Sequence, residues 1–340
     1  MDKTWPNILE RLLTGQSLAE AEAGDLMHAL AEGSMDPALA GALLAALRAK
    51  GESAEEIRGF ATVMRELAVD PGIPDGKPAV DTVGTGGDGS GSLNLSTGTG
   101  LLAAACGARV VKHGNRSISS KSGSADILEF LGLQLPLDGP AAVDLLAATG
   151  FTFLFAPAYH PAMKAVVPVR GPMGVRTVFN FLGPLTNPAA PPFQVIGAFS
   201  PQAARLMADA LAGMPLERAF VIHGEPGWDE ATPVGEFVLF DVRDGTVTEL
   251  HRTPEDYGVP RCKAEELAGG DAVHNGTELQ RVFAGEDKGA HRNALLMGTS
   301  LALEVSGAVS SPKEGVAAAA AAIDNGSAAT LLENIKQHFA

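Results

Sequence analysis

The first seventy residues carry apolar side chains at helical spacing and no strand-like alternation. Apolar positions recur every three or four residues over 39–47 and again over 57–67, which is typical of amphipathic helices. Ser53 followed three residues later by Glu56 fits a capping box at a helix start. Residues 71–78 are rich in proline and glycine and predict a linker. The pattern therefore predicts a small helical domain over residues 1–72.

Beyond the linker, short apolar runs alternate with helical patterns, which favours an α/β layer architecture over residues 77–340. Asp244-Gly245 fits a hairpin turn between the last two strands. The predicted strands span residues 79–83, 109–112, 151–155, 194–199, 219–223, 236–242 and 246–250, and the predicted helices begin at Ser96, Ser124, Pro140, Pro201, Gly276, Lys288 and Ser311. The fold class predicted is a small helical domain followed by a large α/β domain.

A glycine-rich run, residues 84–91, follows the first predicted strand and leads into a hydroxyl-rich helix start. Glycines let backbone N–H groups approach a ligand, and a helix N-terminus favours anions. Ser92, Asn94, Ser96 and Thr97 add polar groups around that start. A glycine run alone is more often a surface turn, but this placement favours phosphate binding. The run lacks the lysine of a Walker A loop and the spacing of the dinucleotide fingerprint.

Residues 109–121 form a basic segment in an otherwise acidic chain. The chain has a formal net charge of -15, yet residues 109–121 hold four basic side chains, one histidine and no acid. A charge run is usually a solvated face. Serines, glycine and asparagine interleave here, and that mixture suits an oxyanion-rich ligand, with Lys112 as a point charge and Arg116 as a fork. Aromatic residues are missing from the segment, which argues against a nucleic-acid platform.

An acid pair, Asp229 and Glu230, follows the fifth predicted strand in a turn. Adjacent acids in a turn are usually just solvated, but a phosphate site elsewhere raises the alternative of Mg²⁺, which takes carboxylates together with phosphate oxygens. Nothing suggests zinc, because the eight histidines do not cluster with the two cysteines.

A proline-rich stretch, residues 157–188, predicts a stiff and irregular path. Arg170 and Arg176 lie within it, and we expect Arg170 to sit in a proline-stiffened loop. Either guanidinium could hold a carboxylate in two hydrogen bonds, or tie loop carbonyls together as a structural arginine. The residues alone favour neither the carboxylate-binding role nor the structural role.

Composition also limits the partners and the compartment. The acidic charge argues against nucleic acid and anionic lipid. The longest apolar runs fall far short of a membrane span, and the N-terminus lacks a signal-peptide core. Cys106 and Cys262 lie far apart, as expected of reduced thiols. We expect a cytoplasmic protein.

Several long motifs in order give a resemblance. They are GTGGD, NLST, KHGNR, SKSGSAD, HPAMK, VRTVFNFLGPLTNP, the acid pair and TPEDYG. Together they resemble the anthranilate phosphoribosyltransferases, and the resemblance covers nearly the whole chain. It implies a homodimer joined through the helical domain, to which residues near 170–190 would return. The reaction implied joins anthranilate to phosphoribosyl pyrophosphate in tryptophan biosynthesis, with a pair of Mg²⁺ ions per subunit.

The resemblance also assigns residues. The metals would be served by Ser96, Asp229 and Glu230, and anthranilate by Gly84, Asn115 and Arg170. Lys112, Asn115 and Arg170 are the expected catalytic residues. Phosphoribosyl pyrophosphate would be held by Gly84, Gly87, Asp88, Ser92, Asn94, Leu95, Ser96, Thr97, Lys112, His113, Gly114, Asn115, Arg116, Ser117, Ile118, Ser119, Ser120 and Ser124.

Three positions depart from the family's pattern. Gly171 and Pro172 follow Arg170 where larger or charged residues are common, and Trp228 precedes the acid pair where an aliphatic residue is usual. These departures concern local loop shape. Two alternatives share the fold, a pyrimidine nucleoside phosphorylase and a nucleic-acid-binding paralogue. The intact Arg170 and acid pair favour the transferase, and the net charge of -15 counts against the nucleic-acid binder.

Overall fold

The computed structural model describes residues 4–74, 78–117 and 121–339. Its first part is helical, as predicted, with helices α1 (Trp5–Leu13), α2 (Glu20–Glu32), α3 (Pro37–Lys50) and α4 (Ala54–Glu66). The predicted capping box is confirmed, since Ser53 Oγ accepts from Glu56 N at 3.2 Å and Ser53 N donates to Glu56 Oε2 at 2.8 Å. Gly59 of α4 lies so close to α2 that a Cβ there would overlap the Glu20 carbonyl oxygen, so glycine permits the tight crossing.

The prediction of an irregular path through the proline-rich stretch is wrong. The stretch forms helices α8 (Ala156–Tyr159), α9 (Met163–Met173) and α10 (Phe179–Leu185), with Pro168, Pro172 and Pro184 inside them. Buried Val166 and Phe179 join the core of the N-terminal helices. Tertiary packing of these apolar side chains therefore overrides the low helix propensity of proline.

The second part holds one seven-stranded sheet, ordered β3-β2-β1-β4-β5-β6-β7. Pairings among β1 to β5 are parallel, and β6 and β7 add antiparallel at one edge. The strands are β1 (Val80–Gly84), β2 (Val110–Gly114), β3 (Phe151–Phe155), β4 (Phe193–Gly197), β5 (Arg218–Gly224), β6 (Phe237–Arg243) and β7 (Thr246–Arg252). All seven predicted strands are confirmed to within two residues. The Asp244-Gly245 turn is confirmed too, with φ of 51° and 71°.

Helices cover both faces of the sheet. They are α5 (Leu95–Ala105), α6 (Ser124–Phe130), α7 (Gly139–Thr149), α11 (Pro201–Leu211), α12 (Ala272–Phe283), α13 (Ala290–Val305), α14 (Pro312–Asp324) and α15 (Ser327–His338), with short 3₁₀ turns at Pro254–Tyr257 and Ala264–Leu267. The predicted start at Gly276 is four residues late, because Asp271 caps α12 by accepting from His274 N at 2.9 Å. In the part of the chain that the structure describes, no helix is long and apolar enough to cross a membrane.

The strand order creates a crevice at the carboxyl ends of the central strands. From β1 the chain continues to β2 and β3 on one side, and β4 and β5 lie on the other. In open α/β sheets, ligands bind where the strand order reverses in this way. The glycine run, the last part of the basic segment and the acid pair come at the carboxyl ends of β1, β2 and β5 respectively, so all three face this crevice.

Candidate active site

The acid turn packs directly on the ends of β1 and β4. A Cβ at Gly84 would lie 2.5 Å from Asp229 Oδ2, and one at Gly197 would overlap the Asp229 backbone. Gly86 N donates to Asp229 Oδ2 at 2.7 Å, and Asp229 N donates to Asp88 Oδ2 at 3.3 Å. The sequence motifs at residues 84–88 and 229–230 thus form one unit, and glycine makes their contact possible.

The two carboxylates of the acid pair are poorly solvated. Desolvation, aided by the nearby charge of Asp88, raises the pKa of Asp229 to about 7. Desolvation and the charge of Asp229 raise the pKa of Glu230 well above its ordinary value. Glu230 Oε1 accepts from Ser96 N at 3.1 Å, at the start of α5. Crowded carboxylates beside a hydroxyl offer hard oxygen donors, and a divalent cation there would relieve their repulsion. The residues present fit Mg²⁺.

Lys112 enters the same cluster from β2. It is only 2% exposed, and its Nζ donates to the Thr82 carbonyl oxygen and to Ser96 Oγ, the latter at 3.4 Å. Burial lowers the pKa of Lys112, while the charges of Asp81 and Glu230 oppose that effect. Lys112 is therefore a buried donor held next to the acid pair and to the first turn of α5.

Asp81 and Asn187 support Lys112, and sequence reasoning missed both. Desolvation raises the pKa of Asp81 to about 6, against the opposing charge of Lys112. Asp81 accepts from Asn187 Nδ2 at 2.9 Å and from His113 N at 3.3 Å. An acid inside an apolar strand was the available signal, because such a residue stays buried only with partners.

The basic segment divides into two parts. The main chain after β2 is drawn towards α6, where Ser124 Oγ donates to the Asn115 carbonyl at 3.1 Å and a Cβ at Gly114 would overlap Ser124. Arg116 NH1 forms ion pairs with Asp126 Oδ1 at 2.9 Å and with Glu129 Oε2 at 2.6 Å. The structure thus pairs Arg116 with carboxylates of α6, unlike Lys112. Ser117 is described beside Asp126, whereas Ile118, Ser119 and Ser120 lie outside the described residues.

Two buried histidines, His113 on β2 and His160 just after α8, pack against each other. The rings of His113 and His160 meet edge to face with centroids 5.0 Å apart. Desolvation lowers the pKa of His113 to about 3, so its ring is neutral, and its Nδ1 lies 3.2 Å from the Gly183 carbonyl oxygen. His113 therefore links β2 to α10 and does not act as a cation.

The start of α5 is fixed from two sides. Asn94 Nδ2 donates to the Ser122 carbonyl at 3.1 Å, and Asn94 Oδ1 accepts from Asn275 Nδ2 at 2.7 Å. Asn275 is buried and was not found from the sequence. Leu95 and Thr97 are buried on α5, and Ser92 forms a bridge to Ala268. The residues expected to bind phosphate here are thus rigidly held.

Arg170 lies in the last turn of α9, which corrects the expectation that it sits in a loop. Its NH2 donates to Asn180 Oδ1 at 3.0 Å, and its guanidinium lies over the Phe179 ring at 5.8 Å from the centroid. Burial lowers the pKa of Arg170 without removing its charge at neutral pH. Arg176 follows in the turn between α9 and α10 and donates to the Gly87 carbonyl at 2.6 Å.

Direct contacts thus join the glycine run to Asp229, and Ser96 to both Glu230 and Lys112. Arg116 instead contacts the carboxylates of α6. Cationic donors and crowded carboxylates at one helix start suit an anion that arrives with a metal. Arg170 belongs to a different element at the edge of this cluster.

Comparison with known proteins agrees with this geometry. Residues 76–329 match the α/β domain of a glycosyl transferase family, and residues 6–68 match that family's helical bundle domain. An anthranilate phosphoribosyltransferase of Parasynechococcus marenigrum is 45% identical over 99% of this chain and 96% of its own length. One from Acetivibrio thermocellus is 42% identical over 96% of this chain and 94% of its own.

Solved structures agree as well. Anthranilate phosphoribosyltransferase from Thermus thermophilus is 42% identical and superposes with a TM-score of 0.89 over 98% of this chain and 99% of its own. The enzyme from Saccharomyces cerevisiae, in complex with PRPP and Mg, is 25% identical with a TM-score of 0.89, covering 100% and 98%. This chain belongs to the anthranilate phosphoribosyltransferase family.

Proposed function

We propose that this chain transfers the 5-phosphoribosyl group from phosphoribosyl pyrophosphate (PRPP) to the amine of anthranilate. The observation that carries the proposal is the convergence on Ser96, whose N–H donates to Glu230 at 3.1 Å and whose hydroxyl lies 3.4 Å from Lys112 Nζ. The cationic donor Lys112 and the carboxylate of Glu230, a group that can bind a metal ion, thus meet at the start of α5. That combination suits a diphosphate that arrives with Mg²⁺.

We divide the site into two named ends. The diphosphate end comprises residues 84–88, Ser96, Lys112, Asp229 and Glu230, and the anthranilate end comprises Arg170 with Asn180. Ser96, Asp229 and Glu230 would hold the metal, while Gly84, Asn115 and Arg170 would contact anthranilate. The remaining PRPP contacts would come from Gly87, Asp88, Ser92, Asn94, Leu95, Thr97, Lys112, His113, Gly114, Ser117 and Ser124, with Ile118, Ser119 and Ser120 outside the described residues. We leave Arg116 out of this set because its guanidinium is paired with Asp126 and Glu129.

The chemistry follows from charge. A bond forms between the anthranilate nitrogen and ribose C1 while the bond from C1 to the pyrophosphate oxygen breaks, and the amine proton passes to water. Lys112 would stabilise the negative charge that grows on the leaving pyrophosphate. When bound, Mg²⁺ would neutralise further charge on that diphosphate. Arg170 would orient the anthranilate carboxylate, which aligns the amine with C1.

The wider assignments belong to the same proposal. We propose a pair of Mg²⁺ ions per subunit, a place in tryptophan biosynthesis, a cytoplasmic location, and a division into domains 1–72 and 77–340, with 170–190 returning to the first. We also propose a homodimer formed through the helical part. Leu13, Val167 and Val175 support that dimer, because these large apolar side chains of the helical part are 65%, 56% and 57% exposed.

The test is a fluorescence assay of anthranilate consumption with PRPP and MgCl₂, with the product identified by mass. We expect N-(5-phosphoribosyl)anthranilate and pyrophosphate, and no turnover when EDTA replaces the metal. A parallel reaction with phosphate and uridine or thymidine tests the nucleoside phosphorylase alternative. Phosphorolysis without anthranilate transfer would overturn the proposal.

A further inference from the structure

Arg176 makes a contact that the transfer reaction as proposed leaves unused. It lies in the turn between α9 and α10, and its NH2 donates to the Gly87 carbonyl oxygen at 2.6 Å. Gly87 belongs to the glycine run after β1, where it adopts a left-handed φ of 71°. A charged guanidinium therefore fixes a backbone position that the family resemblance assigns to PRPP binding.

Arg176 is itself held in place. Its guanidinium lies over the Phe199 ring at 4.0 Å from the centroid, and Phe199 packs against Phe181 of α10 with centroids 5.6 Å apart. Stacking on an aromatic face limits the positions that the side chain can take. The Gly87 contact is therefore made by a restrained side chain.

The glycine run is gripped from the opposite side by the acid pair's turn. Gly86 N donates to Asp229 Oδ2 at 2.7 Å, and Asp229 N donates to Asp88 Oδ2 at 3.3 Å. Gly87 lies between these two contacts. Residues 86–88 are thus clamped between the β5 turn and the α9–α10 turn.

The α9–α10 turn also carries the anthranilate end. Asn180 Oδ1 accepts from Arg170 NH2 at 3.0 Å and from Thr177 N at 2.9 Å. Thr177 is the residue after Arg176. A short chain of contacts therefore joins Arg170 to Gly87 through Asn180, Thr177 and Arg176.

From these contacts we propose that Arg176 is a positioning residue that ties the PRPP-binding glycine run to the element that carries Arg170. It orders residues 86–88 for the diphosphate, and it couples the two substrates so that each strengthens binding of the other. The inference rests on the proposed function for the identity of the two substrates. It assigns Arg176 to the backbone and not to the anthranilate carboxylate.

The experiment compares wild type with Arg176→Ala, Arg176→Lys and Phe199→Leu. Calorimetry measures PRPP binding in the presence of MgCl₂, with and without an unreactive anthranilate analogue, and steady-state assays give KM for each substrate. Arg205→Ala is the matched control, because Arg205 also lies over a phenylalanine ring, that of Phe240 at 6.0 Å, but on the exposed face of α11. Thermal unfolding shows that each variant is folded.

We expect Arg176→Ala to weaken PRPP binding by about tenfold, which is the size of one charge-assisted hydrogen bond. The factor by which the analogue raises PRPP affinity should fall towards one, and because coupling is reciprocal, KM for anthranilate at saturating PRPP should rise by the factor that is lost. Arg176→Lys should recover part of the loss, Phe199→Leu should show a smaller loss, and Arg205→Ala none.

Two results would overturn the inference. One is a PRPP affinity for Arg176→Ala equal to that of wild type, together with unchanged coupling. The other is a defect confined to anthranilate, which would place Arg176 on the carboxylate. If Arg176→Ala does not fold, Arg176→Lys and Phe199→Leu carry the same comparison. Failure of the proposed function would look different, because wild type itself would then form no product.

Discussion

The two ends of the site are built in different ways. At the diphosphate end, buried Lys112 of β2 donates to the Ser96 hydroxyl of α5, and the Ser96 main-chain N–H donates to half-buried Glu230 of the β5 turn. At the anthranilate end, the Arg170 guanidinium of α9 is held by one amide and one aromatic ring, both at the start of the neighbouring helix α10. The first is a network and the second is a single anchor.

This difference predicts that substitutions at the two ends affect the reaction in different ways. Members of a buried network depend on one another, so removing one leaves the others unpaired in a medium of low polarity. A single anchor loses only its own contact with the ligand. Substitutions at the diphosphate end should therefore slow the reaction itself, whereas substitutions at the anthranilate end should mainly change substrate binding.

The largest effect is expected from Asp229→Asn combined with Glu230→Gln. The double variant removes the carboxylates that would hold Mg²⁺, so turnover should fall on the order of 10³-fold and lose its dependence on MgCl₂. Because both pKa values are already raised by desolvation, neutral amides should leave folding intact. Initial rates across a MgCl₂ titration test this.

The matched control for the acid pair is Glu265→Gln with Glu266→Gln, an adjacent and exposed acid pair in a surface 3₁₀ turn. Its rates should match wild type. A folded Asp229→Asn, Glu230→Gln variant with normal activity would remove the metal assignment.

The next effect is expected from Lys112→Met. Methionine keeps much of the aliphatic stem but removes the donor to Ser96 and the charge near the leaving group. The activation free energy derived from kcat/KM for PRPP should therefore rise by about 2–4 kcal/mol. Lys313→Met, at an exposed lysine in the first turn of α14, serves as the control. Steady-state kinetics with each substrate varied would reveal the reverse outcome, in which only the anthranilate dependence changes and the ends are interchanged.

Arg170→Ala should have a smaller and more selective effect. Loss of a guanidinium–carboxylate pair should raise KM for anthranilate by a factor that corresponds to about 1.5–3 kcal/mol of binding free energy. PRPP binding measured alone should stay close to wild type. Arg170→Lys should recover only part, because it keeps the charge and loses the fork. An anthranilate defect that is larger in Arg176→Ala than in Arg170→Ala would contradict this assignment.

The smallest effect is expected from Arg116→Ala. The sequence predicts that Arg116 faces the phosphates, but the structure pairs it with Asp126 and Glu129 at the surface. Exposed ion pairs contribute about 1 kcal/mol or less. We expect kcat/KM for PRPP within about threefold of wild type, measured by the same assay. A loss as large as that of Lys112→Met would show that Arg116 exchanges its carboxylate partners for substrate.

The diphosphate end could be predicted from the sequence because each of its parts is local. A glycine run after a strand, a lysine in a strand and an acid pair at a strand end each have a signature within a few residues, and parallel strands bring their carboxyl ends to one edge. Even there, Asp81, Asn187 and Asn275 were missed, because their roles depend on partners 32, 76 and 181 residues away in the chain.

The anthranilate end was harder to predict for a physical reason. Pro168 and Pro172 indicate an irregular path, yet burial of Val166 against the N-terminal helices stabilises α9 and places Arg170 on it. Periodicity in the sequence does not reveal that packing partner. The Arg176 contact with Gly87 joins residues 89 positions apart and had no local signal at all.

The most direct test of the two-ended site is a crystal structure of this chain with PRPP, Mn²⁺ in place of Mg²⁺, and 4-fluoroanthranilate, a compound with which the Saccharomyces cerevisiae enzyme was solved. At the Mn absorption edge, we expect anomalous density beside Asp229 and Glu230, with the diphosphate against residues 84–88 and Lys112. The analogue's carboxylate should meet Arg170. Metal or diphosphate bound away from the acid pair, or a carboxylate held by Arg176, would contradict the account.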